Sequence, residues 1–249
     1  DSYSMMKILG IIPARYKSSR FPGKPLADIH GKPMIAYVYE NAMKVSQFDK
    51  VLIATDDERI ASECNRRGMS FVMTSTEHET GTDRMAEVAE KHEADFYVNI
   101  QGDEPLVSPD TIESALRPIM SSNNFDVINL MTEIRDASDL VNSTIPKVVV
   151  NDRAEAIFFS RSPIPYPKSK RPKYYKQVCV YVFKRDALLR FASLARGAIE
   201  QSEDIEILRF LENRMTVKMV EVHEDSVAVD TAADLEVVKN ILTNRKKLK

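Results

Sequence analysis

Apolar and polar residues alternate along the first half of the chain in blocks that predict strands and helices in turn. Short apolar runs predict strands at 7–12, 51–54, 69–73 and 96–100. Between these runs apolar residues recur at helical spacing, as Ile35, Val38 and Ala42 do after Pro33, a residue suited to a first helical turn. This alternation over 7–121 favours an α/β fold with a mostly parallel sheet and helices on both faces.

Polar residues at the ends of these strands predict where a ligand would bind. In open α/β sheets, ligands bind beyond the carboxyl ends of the strands. We therefore expect four loops to converge on one crevice, namely 13–24, 55–57, 74–84 and 101–105. Within them, Thr55 and Glu58 have the spacing of a capping box for the next helix.

The second half has a less regular pattern. Strands are predicted at 125–133, 148–150, 156–160, 178–183 and 217–222, and helices at 185–194 and 203–213. Residues 161–176 contain four prolines and six Lys or Arg residues, which predicts a loop or flap. Thr231 precedes a last helix whose residues Leu235, Val238 and Ile241 are expected to face inward.

Composition narrows the class of protein. An apolar fraction of 43% over 249 residues is enough for a sizeable core. The 35 basic and 37 acidic residues give a net charge of −2, which argues against nucleic-acid binding. No apolar run approaches the roughly 20 residues that cross a bilayer, and no signal peptide is visible. Cys64 and Cys179 lack metal-ligand spacing, so we expect a reduced, cytoplasmic compartment and no membrane partner.

Loop 14–24, directly after the first predicted strand, has the chemistry of a phosphate site. It combines cations with hydroxyl groups and a glycine, namely Arg15, Lys17, Ser18, Ser19, Arg20, Gly23 and Lys24. Such groups suit a polyphosphate, and the alternative is a solvated basic loop. The P-loop and the Gly-x-Gly-x-x-Gly dinucleotide fingerprint are both absent.

Two aspartates are candidate ligands of Mg²⁺. Asp103 follows the fourth predicted strand, and Asp230 lies between an apolar segment and the last helix. Mg²⁺ is bound through one or two carboxylates together with phosphate oxygens. Asp230 could equally be a simple neighbour of a helix N-terminus. Near them along the predicted edge, Arg84 could reach an anion, whereas Thr82 and Asp83 could simply cap their helix.

Several motifs, in order along nearly the whole chain, resemble those of one enzyme family. They are IIPARY at 11–16, SRFPGKPL at 19–26, GKPMI at 31–35, ATDD at 54–57, GTDR at 81–84, QGDEP at 101–105 and SRSPIP at 160–165. They resemble the CMP-Kdo synthetases, the 3-deoxy-manno-octulosonate cytidylyltransferases. The resemblance implies a Rossmann-like nucleotide-diphospho-sugar transferase fold, transfer of CMP from CTP to the sugar acid Kdo, and Mg²⁺ dependence. It also implies a homodimer in the cytoplasm that supplies lipopolysaccharide or capsule synthesis.

The resemblance also implies roles for individual residues. Nucleotide contacts would fall on Arg15, Ser19, Lys24, Thr55, Asp56, Arg84 and Gln101. The metal ligands would be Asp103 and Asp230, which with Arg15 and Lys24 form the expected catalytic set. Sugar contacts would fall on Arg161, Gln177, Tyr181 and Glu206.

The implied organisation is one cytidylyltransferase domain over 5–249. A nucleotide-binding half would cover about 5–125, and a smaller subregion for the sugar site and dimerisation would cover about 126–249. Residues 1–4 precede two methionines, and we interpret them as a cloning remnant.

The sugar half departs from the family pattern. Gln177 stands where the family has His, Cys179 where it has Gly, and Ile207 where it has a polar residue, whereas Tyr181 is kept. The acceptor could therefore be Kdo, its 8-amino analogue or a sialic-acid-like sugar. A catalytically silent nucleotide-binding protein is a further alternative, although it would have no need of the metal carboxylates.

Overall fold

The computed structural model describes residues 5–224 and 226–249, so the segment 1–4 lies outside the described residues. The strands are β1 (Ile8–Ala14), β2 (Asp28–Ile29), β3 (Lys32–Pro33), β4 (Lys50–Thr55), β5 (Phe71–Met73), β6 (Phe96–Ile100), β7 (Val127–Glu133), β8 (Lys147–Val150), β9 (Ala156–Ser160), β10 (Tyr175–Lys184) and β11 (Val217–Glu221). The helices are α1 (Met34–Met43), α2 (Glu58–Arg67), α3 (Gly81–Lys91), α4 (Pro109–Ser114), α5 (Arg117–Ser121), α6 (Ala137–Val141), α7 (Arg185–Ser193), α8 (Ala198–Glu203), α9 (Leu208–Glu212) and α10 (Ala232–Lys247). None of the described helices is long and apolar enough to span a membrane.

One large sheet organises the chain, with the strand order β11-β7-β10-β6-β1-β4-β5. The strands β6, β1, β4 and β5 are parallel neighbours, and β11 is parallel to β7. Only β10 on this path runs against its neighbours, between β6 and β7, and β8 and β9 branch from it. The predicted α/β fold with a mostly parallel sheet is confirmed.

The apolar runs become strands that are buried on both faces. Alternate side chains of β1 enter two core clusters: Ile12 packs in the cluster that contains α1, and Ile11 in the one that contains α3. A strand covered by helices on both faces needs apolar residues at successive positions, which is the pattern that the sequence shows. Gly10 lets the Phe48 ring pack closely against this strand, because an added Cβ would lie only 2.8 Å from that ring.

Helix boundaries differ from the sequence predictions at three places. The capping box predicted at Thr55 and Glu58 is wrong, because Asp57 caps α2 by accepting a hydrogen bond from the backbone N–H of Arg59. Thr55 ends β4 instead. The helix predicted over 203–213 is only α9 at Leu208–Glu212, since the preceding helix α8 ends at Glu203 and the chain adopts a left-handed conformation at Asp204.

The third difference concerns α3. Its N-cap is Thr80, whose hydroxyl accepts from the backbone N–H of Asp83, so Thr82 is not the cap. The last helix begins as predicted: Thr231 and Asp234 form a capping box, and Leu235 and Val238 are buried.

A buried ion pair ties α8 to α9. The guanidinium of Arg209 donates to both carboxylate oxygens of Glu200, at 2.7 and 2.8 Å, and lies over the Phe191 ring. Glu200 is 0% exposed and Arg209 is 3% exposed. Two N–H groups of the guanidinium each donate to one carboxylate oxygen, so the pair is bidentate. Removing either residue would leave the other as a buried charge without this partner.

We predict that Arg209→Leu lowers the free energy of unfolding by about 3–5 kcal/mol, because the buried Glu200 would lose its bidentate partner and keep only the single contact with the partly exposed Arg196. Urea denaturation at neutral pH measures the change. Arg66→Leu is the matched control, since it breaks an exposed pair with Glu63 that contributes under about 1 kcal/mol. Equal, small losses in the two variants would contradict the assigned role.

Candidate active site

A cavity of about 320 Å³ opens where β1 and β6 end and α3 begins. Its lining residues are Pro13, Ala14, Arg15, Ser18, Lys24, Pro25, His78, Glu79, Thr80, Gly81, Arg84, Gln101, Gly102, Asp103 and Glu206. Three of the four loops predicted to converge therefore do so, namely 13–24, 74–84 and 101–105. Loop 55–57 lies behind the cavity wall and contributes only indirectly.

The loop after β1 is closed into a compact turn. The backbone N–H of Gly23 donates to the Tyr16 carbonyl at 2.8 Å, and the Arg59 guanidinium lies 3.2 Å from the Tyr16 ring centroid. Gly23 has a φ of 72° and its Cβ would lie 2.9 Å from the Tyr16 ring, so this position requires glycine. The closed turn holds Arg15 and Lys24 at the same cavity.

Lys24 brings the two candidate metal carboxylates together. Its Nζ lies 3.4 Å from Asp103 Oδ2 and 3.9 Å from Asp230 Oδ1. The backbone N–H of Val229 donates to the Asp103 carbonyl at 2.8 Å, which fixes the two segments side by side. Asp103 and Asp230, which are distant in the sequence, therefore lie beside the same lysine, and of the two only Asp103 lines the cavity.

The electrostatics of Asp103 reflect this crowding. Burial raises the pKa of its carboxyl, the Lys24 ammonium opposes that effect, and the Asp230 carboxylate raises the pKa further. Two carboxylates that share one positive charge form a site that favours cations.

The donor set fits a magnesium ion. Asp103 and Asp230 supply carboxylate oxygens, and the Lys24 ammonium between them marks a position that accepts positive charge. No cluster of three His, Cys, Asp or Glu residues suited to a metal occurs in the described ranges. Since Mg²⁺ takes one or two carboxylates plus phosphate oxygens, two aspartates are sufficient when a phosphorylated ligand completes the coordination.

Arg84 lies on the cavity wall, but it also anchors the preceding loop. Its guanidinium donates to the Thr74 hydroxyl, to the Ser75 carbonyl at 3.1 Å and to Asp56 Oδ2 at 3.2 Å. Asp56 therefore acts on the cavity through Arg84, and Thr55 is buried at the end of β4.

Glu206 reaches the cavity from the second half of the chain. Its Oε1 accepts a hydrogen bond from the Thr82 hydroxyl at 2.5 Å. Burial raises the pKa of the Glu206 carboxyl, Thr82 lowers it in part, and the Asp83 carboxylate raises it further. The sequence analysis missed Thr82 as a site residue because its spacing also suits a helix cap. Its position in loop 74–84, which was predicted to reach the ligand crevice, is the signal that could have identified it.

Arg161, a predicted sugar contact, is engaged by protein carbonyl groups. Its guanidinium donates to the carbonyls of Glu203 at 2.5 Å, Ser143 at 3.0 Å and Asp204 at 2.8 Å. It therefore joins the loop before β8 to the end of α8, and it does not line the cavity.

The remaining predicted contacts do not line the cavity. Gln177 donates to Asn129 Oδ1 at 3.0 Å. Tyr181 is 8% exposed and stacks on Phe183, and burial raises the pKa of its hydroxyl, with a further contribution from the nearby Glu206 carboxylate. Ser19 lines an adjacent groove, whereas its neighbour Ser18 lines both the groove and the cavity.

The sequence departures occupy two different environments. Ile207 is 2% exposed and packs in the same core cluster as Tyr181. Burial raises the pKa of the Cys179 thiol, and the Glu104 and Asp103 carboxylates raise it further. Cys179 therefore lies within electrostatic range of Glu104 and Asp103, whereas Ile207 is part of the core.

A cationic turn beside two neighbouring carboxylates, at the carboxyl edge of an α/β sheet, is an arrangement typical of a nucleotidyltransferase. A family model described as Cytidylyltransferase matches residues 9–219. The 3-deoxy-manno-octulosonate cytidylyltransferase of Geotalea uraniireducens (strain Rf4) is 44% identical over 245 residues, covering 94% of this chain and 98% of the relative. That of Escherichia coli is 43% identical over 239 residues, covering 96% and 97%. The chain belongs to the 3-deoxy-manno-octulosonate cytidylyltransferase family.

Solved structures agree with this assignment. A CMP:2-keto-3-deoxy-manno-octonic acid synthetase complexed with CTP matches with a TM-score of 0.92 and 41% identity, covering 96% of this chain and 99% of the other. The 4-diphosphocytidyl-2C-methyl-D-erythritol synthase of Anaerococcus prevotii DSM 20548 matches with a TM-score of 0.63 and 14% identity, covering 96% and 99%, which shows the fold alone. The family predicted from the sequence motifs is confirmed.

Proposed function

We propose that this protein transfers CMP from CTP to 3-deoxy-D-manno-octulosonate, releasing pyrophosphate and forming CMP-Kdo for lipopolysaccharide or capsule synthesis. The observation that carries the proposal is the meeting of Asp103 and Asp230 at Lys24, beside the cationic turn. The relatives are named for this reaction, and the close structural relative is complexed with CTP.

The triphosphate binds along the turn after β1. Arg15 and Lys24 offset charge on the β- and γ-phosphates, which grows as pyrophosphate leaves. Gln101 and Gly102 form the floor of the cavity beside this turn. An added Cβ at Gly102 would lie 3.0 Å from the Pro13 carbonyl oxygen, so a side chain there would crowd the strand end beneath the nucleotide.

Asp103 and Asp230 are the proposed ligands of Mg²⁺. When bound there, the ion supplies charge neutralisation at the phosphate oxygens and lowers the pKa of a coordinated hydroxyl. Asp103 and Asp230 would hold the ion beside the triphosphate that Arg15 and Lys24 bind. The transfer itself needs the attacking hydroxyl and the leaving oxygen roughly in line.

The sugar acid binds on the side formed by Glu206, Thr82 and Tyr181. The Glu206 carboxyl lines the cavity, where it can accept a hydrogen bond from a sugar hydroxyl. Arg161 and Gln177 stay predictions as direct sugar contacts, and their present partners support a role in holding this half in place.

A homodimer and a cytoplasmic location are part of the proposal. The second half carries large apolar side chains in water, with Val141 71%, Ile157 61% and Tyr166 85% exposed, which supports an interface there. The cysteines Cys64 and Cys179 are free thiols, as a reducing compartment would allow.

We predict that Asp103→Asn lowers turnover by at least about a hundredfold while the fold survives. Loss of this carboxylate would weaken the hold on Mg²⁺, so the negative charge that develops on the phosphate oxygens would not be neutralised. Pyrophosphate release from CTP and Kdo, with chromatographic detection of CMP-Kdo, measures turnover. Asp152→Asn, in an exposed turn between β8 and β9, is the matched control and should behave as wild type. A folded Asp103→Asn variant with near-normal turnover would remove Asp103 from the mechanism.

The same assay tests the acceptor. Kdo, its 8-amino analogue and a sialic acid are compared at equal concentration, and Kdo is expected to give the highest turnover. A clear preference for another acid would reassign the acceptor, and no release with any of them would contradict the transfer reaction.

We predict that Arg15→Gln weakens CTP affinity by about tenfold, because a charged hydrogen bond to phosphate contributes about 1.5–3 kcal/mol. Calorimetry with CTP alone measures binding without turnover. Arg190→Gln is the control, since Arg190 lies on the surface of α7 and contacts the Asn213 carbonyl. Unchanged CTP binding in Arg15→Gln would place the triphosphate elsewhere.

A further inference from the structure

Lys24 occupies the position between the two carboxylates that a divalent ion would share. Its ammonium lies 3.4 Å from Asp103 Oδ2 and 3.9 Å from Asp230 Oδ1, and its side chain is 18% exposed. Within the described part of the chain, Lys24 is the only cation that forms an ion pair with either aspartate. The lysine therefore neutralises a site whose two acids would otherwise repel each other.

The protein offers a divalent ion few other ligands at this place. The described residues include no cluster of three acidic, histidine or cysteine side chains that could hold a metal. A Mg²⁺ ion prefers six oxygen ligands and loses its water reluctantly. An ion that arrives alone would thus exchange water for two carboxylates while standing next to a positive ammonium.

We propose that Lys24 acts as the internal cation of the nucleotide-free site, excluding a divalent ion until a triphosphate draws the ammonium away from Asp103 and Asp230. This inference rests on the proposed function, because it takes the site to be one for a metal and a nucleotide together. The flexible four-carbon stem of lysine lets the ammonium change partners without movement of the turn.

The exchange leaves the negative groups with a positive partner at each stage. Without nucleotide, two carboxylates face one ammonium. With nucleotide, the same ammonium faces phosphate oxygens, and the carboxylates are free for the ion that those oxygens also bind. The divalent ion consequently binds only together with the triphosphate. The nucleotide-free protein binds divalent ions weakly at Asp103 and Asp230.

The test is a titration of the nucleotide-free, full-length protein with Mn²⁺, followed by the electron paramagnetic resonance signal of the free ion. Wild type is expected to bind Mn²⁺ weakly, and Lys24→Met to bind it at least about tenfold more tightly, since one nearby positive charge is removed. Lys44→Met removes a charge from the exposed end of α1 and should match wild type.

A double variant locates the ion. Adding Asp103→Asn to Lys24→Met should abolish the gain in affinity. Tight binding of Mn²⁺ by nucleotide-free wild type would overturn the inference, as would a gain that survives Asp103→Asn or a Lys24→Met variant no tighter than wild type. If circular dichroism shows that Lys24→Met is unfolded, Lys24→Gln is measured under the same criteria.

The outcome is separate from that of the proposed function. No sugar acid, nucleotide or turnover enters the titration, so a protein that makes no CMP-Kdo could still show the gain in Mn²⁺ affinity. Conversely, CMP-Kdo formation with no gain in the Lys24 variants would refute the inference alone.

Discussion

The proposed active site depends on the contact of one lysine with two aspartates. Lys24 belongs to the turn after β1, Asp103 to the loop after β6, and Asp230 to the segment before α10. β1 and β6 are parallel neighbours, so their carboxyl ends lie at the same edge of the sheet. The third segment is added by the backbone bond between Val229 and Asp103. The fold thus concentrates three charges from distant parts of the sequence at one point.

The sequence was most informative where a pattern has only one physical solution. Apolar runs such as 96–100 are buried on both faces, and β6 has the predicted bounds. Parallel pairing was enough to predict the convergence of three of the four loops, whereas loop 55–57 follows a parallel strand without lining the cavity. Strand order could not be predicted in the same way, because the insertion of antiparallel β10 between β6 and β7 leaves no trace in local periodicity. The caps at Asp57 and Thr80 were missed because neighbouring hydroxyl and acid groups are equally good cap residues.

Long-range polar contacts were the least predictable part of the site. The sequence indicates that Arg161 is a cation near the sugar half, but not that three carbonyl groups take up its donors. Lys147 is a similar case, since it is fully buried and its ammonium donates to the carbonyls of Asn142, Ile145 and Arg161. Carbonyl groups occur at every residue, so composition and spacing cannot identify which of them a buried cation will meet.

The two sides of the cavity have different physical designs, with consequences for how each could change. The proposed nucleotide side consists of the cations Arg15 and Lys24 on a surface turn, whose partners can be exchanged. The proposed sugar side consists of Glu206, held by Thr82 and followed directly by the core residue Ile207. Glu206 lies between α8 and α9, and the buried pair of Glu200 and Arg209 joins these two helices. A new acceptor would therefore require changes in core packing, whereas nucleotide affinity can be tuned by single substitutions in the turn.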